Sequence, residues 1–145
     1  MHRVAQFGIA LSALGIVLTF MGLFPGVTGL EPAAGIGIVQ IFTILIGFTL
    51  LILGALIYVK FTFYPTQGAS LAQQIGVRLA LTGLLFAAMA GLSDVLGFGS
   101  HPRGPDSEPL FGYLQAFGLI GSFVMASLGV LIYAVGGRTN DDSEK

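Results

Sequence analysis

The sequence predicts an all-α integral membrane protein, a four-helix bundle built from two tandem repeated helical hairpins with both termini inside. Three observations carry this. The chain has 145 residues, of which 54% are hydrophobic and only 9% charged. Its mean hydropathy is +0.90, whereas soluble domains carry roughly 25% charged residues. Four apolar stretches each approach or exceed the roughly 20 helical residues that a bilayer core of about 30 Å requires. The second half of the chain also repeats features of the first.

The predicted helices cover about 4–24, 35–59, 74–98 and 110–136, within one transmembrane domain spanning 1–137. The first apolar stretch is uncharged and ends at Pro25-Gly26. It is longer than the core of a signal peptide, and no small-x-small cleavage pattern follows it, so it is read as a mature span. The second ends at Lys60 and the fourth at Arg138. The third has Arg78 near its start and Asp94 near its end. Glu31-Pro32 and Glu108-Pro109 stand at the entries of the second and fourth. Proline loses no hydrogen bond there, and the carboxylate meets the positive end of the helix dipole. The tail at 138–145 is polar and is read as disordered and cytoplasmic.

Orientation follows from the cations. Arg3, Lys60, Arg78, Arg138 and Lys145 fall on one side, and Arg103 alone on the other. Short cytoplasmic segments collect Lys and Arg, so both termini are expected inside a cell (cytoplasmic) membrane. The loops at 25–32 and 98–109 are then outside.

The duplication is read by offset. Moved by 68 positions, Gln6, Gly8, Leu11, Gly15 and Met21 fall on Gln74, Gly76, Leu79, Gly83 and Met89. Moved by 75, Gln40, Phe42 and Phe48 fall on Gln115, Phe117 and Phe123. With the same offset, Leu56-Ile57-Tyr58 falls on Leu131-Ile132-Tyr133. Each unit holds two spans, so both enter from one side, and a pseudo-two-fold axis along the membrane normal is expected.

Lipid tails are as apolar as leucine, so small residues that let backbones approach decide helix association. Glycines recur every seven residues: Gly8, Gly15 and Gly22; Gly47 and Gly54; Gly76 and Gly83. Gly129 carries the same phase in the last span. A seven-residue period keeps one seam facing a partner in a left-handed supercoil. The expectation is a tight bundle with glycine seams inside and Leu, Ile and Phe facing lipid or a neighbouring subunit.

The candidate polar or binding positions are few. Asp94 is the one acid in an apolar span, near its outer end, where an interfacial role competes with an ion path. The loop that follows is longer than its counterpart in the first unit and carries His101, Arg103, Asp106 and Glu108. Loops of that kind carry sites, but no metal-ligand spacing is present and no metal is expected. Gln40 and Gln115 lie on the glycine phase, where interhelical hydrogen bonding is the preferred role and a polar pore constriction the alternative. Tyr58 and Tyr133 are interfacial belt residues.

Function is constrained mostly by exclusion. Cysteine is absent, and His2 and His101 are the only histidines, so thiolate chemistry and a bis-histidine haem are ruled out. No P-loop, HExxH or Ser/His/Asp set occurs, and Gly35-Ile36-Gly37 lacks the context of a dinucleotide site. A net charge of −1 gives no pull toward nucleic acid. The size is similar to that of small four-helix multidrug transporters, but their carboxylate in the middle of the first span is missing. The expected protein is a non-enzymatic membrane component without cofactors. Its partners are membrane lipids and either further copies of itself or other membrane subunits. A small channel or carrier for an ion or small solute is the alternative.

Overall fold

A computed structural model of the chain describes residues 2–29, 37–93, 95–97 and 112–137. Within them are four helices: α1 (His2–Leu23), α2 (Ile38–Phe63), α3 (Leu71–Leu92) and α4 (Tyr113–Gly136). A 3₁₀ turn, Pro25–Thr28, follows α1 and closes on Gly29 in the left-handed region at φ 75°. All four helices are long and apolar enough to cross a membrane.

Several boundaries differ from the sequence expectation, each for a local reason. Helix α2 continues through Lys60 to Phe63. The Lys60 ammonium does not end it, but reaches forward to donate to the Gln67 carbonyl at 2.7 Å. Helix α3 starts at Leu71, earlier than expected, because Ser70 caps it with its side chain. It stops at Leu92, short of the expected 98, and Gly97 beyond it takes φ 84°. Helices α2 and α4 start at Ile38 and Tyr113, after the extended glycines Gly37 and Gly112.

Within each hairpin, α1 with α2 and α3 with α4, the helices pack backbone against backbone. A Cβ placed on Gly8 would lie 2.8 Å from the Tyr58 nitrogen and 2.9 Å from the Gly54 oxygen. One placed on Gly47 would lie 2.5 Å from the Thr19 nitrogen and 2.9 Å from the Gly15 oxygen. At Gly22 the neighbours are the Ile44 side chain at 2.6 Å and the Gln40 oxygen at 3.2 Å. Between α3 and α4, a Cβ on Gly76 would meet the Tyr133 nitrogen at 2.6 Å and the Gly129 oxygen at 2.7 Å. One on Gly83 would meet the Ala126 nitrogen at 2.6 Å and the Ser122 oxygen at 2.8 Å. No side chain fits at these distances, and the gain is dispersion contact plus weak Cα–H···O bonding.

These seams run inside each hairpin, between α1 and α2 and between α3 and α4. The hairpins meet instead through bulky side chains. Ile41, Leu45, Phe48, Ile52, Leu56 and Val59 of α2 enter the groove between α3 and α4. Large apolar residues thus form the contact between hairpins as well as the lipid-facing surface. The reason is geometric: a glycine face is consumed by its closest partner, so a second partner must be met at the wider spacing that Ile, Leu and Phe fill. Phe48 stacks on Phe123 with ring centroids 3.8 Å apart. Helix α1 packs on α2 and makes no comparable contact with α3 or α4.

Candidate functional site

Four of the six candidate polar positions, Asp94, His101, Arg103 and Glu108, lie outside the described residues, as do all other acidic residues of the chain. The two glutamines lie inside them. The Gln40 side-chain oxygen accepts from the Gly37 amide at 2.7 Å. The Gln115 oxygen accepts from the Gly112 amide at 2.8 Å. Both therefore satisfy donors at the start of their own helices, the return half of a capping box whose first half a glycine cannot supply. The Gln115 amide also donates to Ser93 Oγ at 2.5 Å, tying the entry of α4 to the end of α3. The structure does not bring Gln40 and Gln115 together by a hydrogen bond between their side chains.

A second polar cluster was not anticipated. It joins the α2–α3 connection to the C-terminal turn of α4. The Tyr64 hydroxyl donates to the Ala134 carbonyl at 2.7 Å. Ser70 Oγ donates to the Gly136 carbonyl at 3.0 Å and accepts from the Gln73 amide at 3.1 Å. The Gln73 side-chain oxygen in turn accepts from the Ser70 amide at 3.1 Å. Two carbonyls at the end of α4 are thus capped by another segment, which satisfies groups that helix ends leave open. The signal was present as Ser70-Leu71-Ala72-Gln73, the Ser-x-x-Gln form of a capping box. Gln73 is 1% exposed, and its Nε2 has no hydrogen-bond partner among the described residues.

The remaining feature is an imbalance of exposure between positions 75 apart. On α2, Leu45 is 9% and Ile52 4% exposed, because this face lies in the α3/α4 groove. On α4 the corresponding residues are Ile120, 59% exposed, and Ser127, also exposed. They line a shallow apolar furrow with Phe123, Val124, Leu128 and Leu131. The α3 side of the groove repeats the imbalance 68 positions earlier. Val77 and Leu84 are half-buried beneath α2, while Ile9 and Ile16 of α1 are exposed.

The chain matches no protein-family model, no curated protein and no solved structure. Any functional reading therefore rests on the residues themselves.

Proposed function

We propose that this is a non-catalytic, multi-pass component of the cytoplasmic membrane, evolved by tandem duplication of a helical hairpin, which self-associates or serves as a subunit of a membrane complex. Both termini lie on the cytoplasmic side in this reading, as the placement of Arg and Lys favours. The correspondence between hairpin contacts supports the duplication. Gly8 stands against Tyr58 and Gly54 as Gly76 stands against Tyr133 and Gly129, at offsets of 68 and 75. Gly15 stands against Leu51 and Gly47 as Gly83 stands against Ala126 and Ser122.

The single observation that carries the associative role is the exposed α4 face, whose counterpart on α2 is buried against a hairpin. Gln40, Gln115, Ser70 and Gln73 hydrogen-bond at helix ends, so these polar side chains serve the chain's own caps. Extraction of two differently tagged copies from native membranes in a lipid-retaining polymer tests the reading. Co-purification of the two tags, or of another membrane protein in fixed ratio, is expected. A chain recovered alone contradicts it.

A further inference from the structure

Among the described residues the basic side chains are Arg3, Lys60 and Arg78, and they are placed differently. Arg3 stands in the first turn of α1, at the boundary where cations of membrane proteins ordinarily gather. The Lys60 ammonium is bonded to the Gln67 carbonyl. Arg78 stands well inside α3, which starts at Leu71, about 10 Å along the helix axis. Its side chain is exposed and has no hydrogen bond or ion pair with any described residue. Leu71, Ile75, Leu81 and Leu85 flank it on the same side of the helix, and all four are exposed. The guanidinium therefore starts from within an apolar stripe of a helix long enough to span the membrane. No Asp or Glu lies among the described residues to neutralise it.

We infer that Arg78 holds the phosphate of an anionic phospholipid, in the leaflet at the Leu71 end of α3. A charge left in hydrocarbon is costly, so the side chain must reach a polar partner. The helix sets the direction of reach. Cα–Cβ bonds tilt toward the helix N-terminus, which is also the nearer end, and a long arginine stem runs along apolar surface with its head in the polar layer. On that path lies Gln74, one turn nearer the end and exposed on the same side. Its Nε2 donates to the Ala69 carbonyl at 3.3 Å, which anchors the amide and leaves its second N–H for the same phosphate. A guanidinium matches two phosphate oxygens with parallel N–H donors. Charge selects an anionic lipid: a zwitterionic headgroup brings a cation of its own, and no described carboxylate meets it. A second copy of the chain is a poor occupant, because an isologous contact would set two Arg78 side chains against each other. The site belongs to the second hairpin alone. The residues 68 positions earlier are Gln6 and Ala10, so the glutamine is repeated and the arginine is not. The inference is independent of whether the chain self-associates.

The test is native mass spectrometry of the full-length protein released from nanodiscs of phosphatidylcholine with a minor fraction of phosphatidylglycerol. The unmodified chain is expected to retain phosphatidylglycerol in preference to phosphatidylcholine. Arg78→Gln should lower that preference about fivefold, the worth of one cation near an anionic lipid surface. Arg78→Lys should keep part of it, because the charge survives without the planar donor pair. Arg3→Gln, which removes a cation at the entry of α1, should change little. Arg78 faces no seam, so an unchanged unfolding midpoint in SDS identifies each variant as folded. Equal retention of the two lipids by the unmodified chain overturns the inference, as does a preference that survives Arg78→Gln. An equal loss in Arg3→Gln also overturns it, since that marks only a general attraction of cations to the anionic surface. An intact lipid preference in Arg78→Gln with loss of a co-purifying membrane protein makes the occupant a protein instead.

Discussion

The Tyr64 hydroxyl donates to the carbonyl oxygen of Ala134 at 2.7 Å, so the connection between the hairpins closes the last turn of α4. Tyr64 is 6% exposed, and its ring lies against Gly137. Tyr64→Phe keeps the ring and removes the bond. The expected loss is about 0.5–1.5 kcal/mol, the net worth of one hydrogen bond. Denaturation by SDS titration from mixed micelles measures it, and an unchanged midpoint would count against the cap.

Ser70→Ala removes both an N-cap for α3 and the donor to Gly136. A lost N-cap alone costs about 1 kcal/mol. The combined loss should therefore exceed that of Tyr64→Phe. Ser70→Thr, which retains the hydroxyl, should restore most of it in the same titration.

Gly15 and Gly129 face backbone across their seams, whereas Gly121 on the open side of α4 has nothing within 4 Å of its Cβ position. Gly15→Leu and Gly129→Leu must push the helices apart. Overpacking of this kind costs about 1–3 kcal/mol or more. Gly121→Ala should cost nothing measurable. Equal effects at Gly129 and Gly121 would contradict the seam.

Phe48→Ala and Phe123→Ala act on a different interface, the contact between hairpins. A double-mutant cycle should return a coupling of about 0.5–1.5 kcal/mol for the ring pair. Cysteine pairs across the α1–α2 seam should still form disulfides in the Phe48→Ala chain, because that seam does not involve the ring.

The helices were legible in the sequence because each is long and apolar, a property set by the thickness of the bilayer. The seam glycines were legible because their spacing has no rival explanation as strong as close backbone approach. The role of Ser70 and Gln73 was missed although their spacing matches a capping box, since both lie in a polar stretch that reads as loop. The way the hairpins meet was not legible at all. Ile52 against protein and Ile46 toward lipid are chemically the same residue, and only the fold distinguishes a face that is 4% exposed from one that is 52% exposed. Gln40 and Gln115 were read as bonds across the bundle. Their side-chain oxygens accept from the glycine N-cap amides of their own helices, and only the Gln115 amide reaches a neighbouring element, at Ser93.

The most direct test of the account is the mass of the protein released from lipid nanodiscs under native conditions. A particle containing at least two 15.1 kDa chains, or one chain with a stoichiometric membrane partner, is the predicted result. A lone chain at every protein-to-lipid ratio would contradict it.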